Sequence, residues 1–330
     1  MIYTLTLNPA IDYVMEPLTL DMGFTNRSSS EDIFCGGNGI NVSTILNELE
    51  CDNVALGIIG GFTGRYLLET LIDRGVNCNF VRLEKGATRI NVKLQGVVMT
   101  IVNGMGPKIP QSKIDEIYRR LDRIKAGDTL VLTGSIPKCL DERMYLEIMN
   151  RLAGRGIRFV VDAPGQLLME SLSARPFLIK PNNHEVGRIF GEKPEKPEEV
   201  MHLAHKLHEL GAVNVIVSCG KWGSALVDEA GNEHICGVPK CRLVNATGSG
   251  DSMVAGFLAK LEEGADYDTA LNYASACGSA TASSKGLATK ARIEKLYNRL
   301  LEQNSAAREA KQSKEIKEAK TSKEKRAQGA

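Results

Sequence analysis

Short apolar runs alternate with helical patterns along most of this chain, and that alternation limits the fold more than any other feature. The runs at 2–7, 54–59, 80–83, 129–132, 158–161 and 213–217 read as strands. Between them, 39–50, 65–74, 111–124, 141–152 and 200–210 read as helices; in the first, Ile40, Val42, Ile45, Leu46 and Leu49 fall on one side. Strand–helix alternation of this kind predicts a mostly parallel sheet with helices on both faces, a three-layer α/β architecture. Ligands of such sheets bind beyond the carboxyl ends of the strands. Two segments break the rhythm: 13–34 lacks a helical pattern, and 87–104, "ATRINVKLQGVVMTIVNG", reads as two strands around Gly96. We expect them to form a small β-sheet inserted from two places as a lid; extension of the main sheet is the alternative. The lid's outer face would be a candidate surface for pairing with a second copy, a possibility that nothing in the sequence requires.

Charge narrows the partners. A net charge of +1 over 330 residues gives no reason to expect nucleic acid or a membrane surface. Residues 302–330 carry eight basic and five acidic residues with one aliphatic larger than alanine, Ile316, and cannot bury a face. The expected organisation is one domain over 1–301 and a charged, disordered tail over 302–330, with a solvated helix as the alternative for the tail. The start "MIYTLTLNPAIDYV" reads as a first strand rather than a signal peptide, and no apolar run is long enough to span a bilayer. The eight cysteines include no CxxC pair, so reduced thiols in the cytoplasm are expected.

The stretch "TGSGDSM", 247–253, precedes an apolar helical run. Thr247, Gly248, Ser249 and Gly250 could aim several backbone amides at an anion near the positive end of a helix. Asp251 among those donors could accept a proton from an alcohol; an ordinary N-cap would use the same residue types. A second cluster, "GGNGIN", opens the first long helix, and the amides near Gly37 and Asn38 with the Asn41 carboxamide suit a polyhydroxylated ligand, or merely a tight loop. Asp12, in "NPAID", could bind two hydroxyls or sit in a turn. Arg89 and Lys93, four apart in "TRINVK", would share a strand face and could grip a phosphate, or form a solvated strand face. Asn182 and Glu185, three apart after Pro181, could orient a hydrated Mg²⁺ or form a capping box. His202, His205 and His208 drift around a helix and read as a partly exposed face rather than a metal site. P-loop and dinucleotide-binding glycine motifs are missing.

Taken in order, "TLNPAID", "GGNGIN", "TRINVK", "TGSIP", "KPNNHE", "SCGKWG" and "TGSGDSMVAGF" resemble the ribokinase-like (PfkB) family of carbohydrate kinases, over about residues 1–300. The match is with the branch that acts on sugar phosphates. The resemblance implies ATP-dependent phosphorylation of fructose 1-phosphate at C6, with tagatose 6-phosphate at C1, or a catalytically impaired sugar-phosphate-binding protein, as alternatives. It implies Asp251 as base and the amides of Gly248, Ser249 and Gly250 as anion hole. Asp12, Gly37, Asn38 and Asn41 would hold the sugar, and Arg89, Arg27 and Ser135 its phosphate. Lys180, Asn182 and Thr247 would face the ATP phosphates, with Glu185 meeting Mg²⁺ through water; Ser218, Gly220 and Gly223 would lie on the ATP side. Asn38 departs from the lysine usual in close relatives, a change that could weaken the hold on an anionic substrate by roughly 1.5–3 kcal/mol. Ala246 replaces a small hydroxyl residue.

Overall fold

The computed structural model describes residues 1–96 and 99–307. Nine strands form one sheet. Strand β1 (Ile2–Thr6) is flanked in parallel by β4 (Asn53–Gly60) and β8 (Thr129–Thr133). Beyond β4 lies β5 (Cys78–Leu83); beyond β8 follow β9 (Arg158–Asp162), β10 (Leu178–Ile179) and β11 (Asn214–Ser218), all parallel. An antiparallel hairpin, β12 (Ser224–Val227) and β13 (Glu233–Cys236), finishes that edge. The apolar runs are continuous because both sheet faces are buried. Successive strand residues alternate between two cores: Val131, Val160, Leu178 and Ile216 on one face, Leu130, Leu132, Val161, Ile179 and Val217 on the other.

The first face carries α1 (Asn38–Glu48), α2 (Gly61–Asp73), α8 (Ser249–Glu262), α9 (Tyr267–Ala282) and α10, which begins at residue 290. The second carries α3 (Gln111–Leu121), α4 (Met144–Arg151), α5 (Gly165–Ser171), α6 (Asn183–Phe190) and α7 (Pro197–Glu209). Three helix starts differ by three or more residues from the sequence reading, and α2 begins four residues early, at Gly61. Asp141 accepts the Arg143 amide at 2.8 Å in a turn, so α4 begins three residues later than expected. Helix α7 begins earlier, at Pro197, with Glu198 and Glu199 in its first turn, where a missing N–H costs nothing.

The two arrhythmic segments form a separate four-stranded sheet rather than extending the main one. Its order is β3 (Ser28–Gly36), β2 (Ala10–Pro17), β6 (Arg89–Gln95), β7 (Met99–Asn103). Strand β2 leaves β1 after three residues, so the lid starts at Ala10 and ends its first part at Gly36, wider than the expected 13–34. Residues 302–307 continue α10; the rest of the expected tail, 308–330, lies outside the described residues.

Candidate active site

Helix α8 begins at the carboxyl end of the sheet, and its first turn brings Ser249, Gly250 and Asp251 together. Gly248, the N-cap, has φ +81°, and a Cβ there would stand 2.8 Å from the Leu287 side chain. Only glycine takes that backbone and that space without strain. The Ser249 amide turns back to the Ala246 carbonyl at 3.2 Å and the Thr247 amide to Asn245 Oδ1 at 3.0 Å. Among the described residues, the amides of Gly248, Gly250 and Asp251 have no partner and face outward from the helix start. A Cβ on Gly250 would lie 2.9 Å from Lys180 Nζ, so an ammonium sits directly against these amides. The arrangement concentrates positive potential where an anion could lodge.

Asp251 is 5 % exposed and accepts a hydrogen bond from Asn41 Nδ2 at 2.7 Å. Burial, and next the neighbouring Asp162 carboxylate, push its pKa up to about 7; Asn41, Lys180 and Asn38 pull the other way. Lys180 Nζ lies 3.4 Å from Asp162 Oδ1, and burial raises Asp162 too. A carboxyl held near neutrality is matched to general-base work.

Two clefts meet at this turn. One is lined by Asp12, Asn41, Lys93 and Thr247 under the lid. Asp12 accepts from Asn91 Nδ2 at 2.8 Å and pairs with Lys93 Nζ at 2.7 Å, both from β6, which runs beside β2 in register Asp12↔Asn91. Asn38 packs against Gly134 at the end of β8. Further along, Arg89 donates through Nε and Nη2 to the Asn8 carbonyl at 3.3 and 3.1 Å, and Asn8 Nδ2 reaches Ser135 Oγ at 3.3 Å. A half-buried guanidinium beside a hydroxyl can receive an oxyanion. The second cleft, about 410 Å³, is largely apolar and is lined by Ser218, Gly220, Gly223, Ser249 and Gly250, with Val238 and Met253 among its walls. It can take a flat heterocycle with its charged end at the α8 amides.

A family model described as pfkB family carbohydrate kinase matches residues 5–294. The chain belongs to the pfkB family of carbohydrate kinases. It is 39% identical over 297 residues to a 1-phosphofructokinase of Bacillus subtilis, covering 90% of this chain and 97% of the relative. A D-tagatose-1-phosphate kinase of Bacillus licheniformis is 34% identical over 301 residues, covering 91% and 98%. Among solved structures, phosphofructokinase-2 from Escherichia coli in complex with substrates and products superposes with a TM-score of 0.85 at 27% identity, covering 91% and 99%.

Kinases of the pfkB family use ATP with a metal ion. In this pfkB-family chain, Asn182 and Glu185 form a capping box at the start of α6: Asn182 Oδ1 accepts from the Glu185 amide at 2.9 Å and Glu185 Oε2 from the Asn182 amide at 2.8 Å. That leaves Glu185 Oε1, close enough to Asp162 to raise its pKa. Two carboxylates with no nitrogen or sulfur donor fit a hard cation that keeps most of its water. Arg27 stands apart from Arg89: it is exposed in the β2–β3 loop, and its recorded tie is a carbonyl accepting from the Leu18 amide at 3.0 Å. His202 and His205 meet different glutamates, Glu192 and Glu233. Sequence reasoning missed Asp162, Asn8 and Asn91. Asp162 ends β9 in "VVDAPG", and a carboxylate at the carboxyl end of a parallel strand was the available signal.

Proposed function

We propose that the protein transfers the γ-phosphoryl group of ATP to the C6 hydroxyl of fructose 1-phosphate, giving fructose 1,6-bisphosphate. One observation carries the reading: a buried carboxyl with a pKa near 7 stands beside unpaired helix-terminal amides, between a polar cleft and an apolar one. In this reading Asp12 and Asn41 orient the sugar hydroxyls, with the Gly37 and Asn38 amides at the loop that enters α1. Arg89 and Ser135 hold the 1-phosphate. Ser218, Gly220 and Gly223 border the nucleoside, with Thr247 and Lys180 near the phosphates and Asn182 shaping the same wall.

The chemistry then follows from placement. Phosphoryl transfer has a loose transition state, so catalysis is alignment plus stabilisation of the charge on the migrating group. The amides of Gly248 and Gly250 and the Lys180 ammonium supply that stabilisation. Asp251 Oδ holds the acceptor hydroxyl in line and takes its proton as the O–P bond forms. Mg²⁺, held through water by Glu185 and Asp162, would neutralise the β- and γ-phosphate charge when bound. The lid excludes water from the alcohol's rival reaction, ATP hydrolysis.

D-Tagatose 1-phosphate is the second acceptor to consider, because a relative at 34% identity bears that name and the two ketose phosphates share the C1 phosphate and C6 alcohol. They differ in the C4 hydroxyl, which the polar groups around Asp12 would read. We further propose a cytoplasmic location and a homodimer formed through the lid, supported by exposed apolar residues on its strands and loop: Met22, Phe24, Ile101 and Val102. Among the described residues no helix is long and apolar enough to cross a membrane. An ADP-release assay across fructose 1-phosphate, tagatose 1-phosphate, tagatose 6-phosphate and fructose 6-phosphate tests the substrate reading. The highest kcat/KM is expected with fructose 1-phosphate, and a preference for either 6-phosphate overturns it.

A further inference from the structure

A third concavity, about 240 Å³, lies behind the loop that floors the apolar cleft and is lined by Cys241, which also borders that cleft, and by Arg242, Arg292, Lys295, Leu296 and Arg299. Residues 292, 295 and 299 are spaced three and four apart, so α10 presents them on one face. Arg242 joins them from the loop between β13 and α8. No carboxylate pairs with any of these four cations among the described residues. Two of them are fixed by neutral acceptors. Arg292 donates through Nε and Nη2 to the Ser283 hydroxyl and carbonyl at 3.2 and 2.6 Å. Arg299 donates through Nη1 to the Lys240 carbonyl at 2.6 Å.

Such bonds position a guanidinium without compensating its charge, and each fork keeps further N–H groups open. Arg242 and Lys295 make no hydrogen bond among the described residues. The acidic residue nearest in the helix, Glu294, is turned away to the Tyr273 hydroxyl at 2.6 Å. Four like charges converging on one hollow repel one another, and helices ordinarily relieve such repulsion with an acid three or four residues away. Here the acid at that spacing is Glu302, three residues after Arg299, and among the described residues it forms no ion pair with the cluster, whose four cations are exposed to solvent. The hollow has fork-shaped donors, a compact volume and a small apolar floor of Leu296 and Cys241. Guanidinium forks receive carboxylate and phosphate oxygens alike, and four cations around one hollow of this size favour the anion with more charge on one group, a phosphate.

We propose that this pocket binds a small, multiply charged phosphate anion at a site separate from the two catalytic clefts. The experiment is isothermal titration of the full-length protein at low ionic strength, with the nucleotide cleft saturated by a non-hydrolysable ATP analogue and Mg²⁺. Pyrophosphate and 2,3-bisphosphoglycerate are the probes, and the tighter of the two assigns the natural anion to the inorganic or the organic class. One equivalent is expected to bind. Affinity should fall at least about tenfold in the Arg242→Ala/Lys295→Ala double variant and stay within about twofold in Arg89→Ala, which marks the acceptor cleft instead. The double variant should keep its kcat and both KM values, since neither side chain makes a hydrogen bond or ion pair among the described residues. Absence of binding by both probes, or equal binding by wild type and the double variant, overturns the proposal.

Discussion

Asp251 concentrates the residue-scale consequences. Asp251→Asn preserves the hydrogen bond from Asn41 but removes the base, and kcat should fall at least about a hundredfold; stopped-time ADP release measures it, and a loss under tenfold would remove Asp251 from that role. Its pKa near 7 also sets a pH dependence. The ionised form is the active one, so kcat/KM for the sugar should drop as pH falls through about 7, a limb absent from the residual activity of Asp251→Asn. Stability runs in the opposite sense. A carboxyl whose pKa is raised by folding weakens the fold above that pKa and not below the ordinary Asp range near 4. Asp251→Asn should therefore melt at a higher temperature than wild type at pH 8, with the gain shrinking toward pH 5. Arg89→Ala should raise KM for the phosphorylated sugar far more than KM for ATP; equal effects would argue against phosphate recognition there. The glycine-flanked acid was readable from the sequence because so few residue types permit that backbone. Asp162 carried only the weaker signal of its place at a strand's carboxyl end, since a lone aspartate before Ala-Pro-Gly looks like any turn until Lys180 is brought to 3.4 Å from another segment.

At the scale of elements, the start of α8 depends on a conformation that side chains resist. Gly248→Ala must accept φ +81° and a contact with Leu287, at a cost of about 1–3 kcal/mol, or else shift the amides. Denaturant unfolding should show the loss, and kcat should fall with it. The elements that sequence periodicity revealed are those with one apolar side. Helix α3, with Ile114, Ile117 and Leu121 inward, is of this kind. Helix α9 escaped notice because it is buried nearly all round by alanine, serine and glycine, and packs so closely on α8 that a Cβ on Gly256 would meet Cys277 Sγ at 2.4 Å. Small residues leave no stripe to count. The β12–β13 hairpin was hidden for a different reason: its four-residue strands are too short to show a period.

Over the whole molecule, the parallel sheet and its two helical faces were legible because strand–helix alternation forces parallel strands with helical crossovers, whereas the strand order was not. The lid's separateness was legible only as a break in rhythm; its pairing of β2 with β6, 79 residues apart at Asn91 and Asp12, was not. The apolar exterior of that lid leads to a test of assembly. Phe24→Asp with Val102→Asp, both strongly exposed, should turn a dimer into a monomer by light scattering; an unchanged mass would separate the lid from assembly.

The wall between the two clefts is itself informative: Asn245 and Thr247 line one, Ala246 and Ser249 the other, so on the proposed reading one short loop would part the acceptor from the nucleotide, with Thr247 at their meeting point. Divergence toward a new sugar cannot proceed by remodelling that partition, because every change there would be felt by the phosphate donor as well. On the proposed reading the freedom to change sugar lies in β2, β6 and the turn after β8, and relatives with altered diets should keep one unaltered way of handling their energy currency.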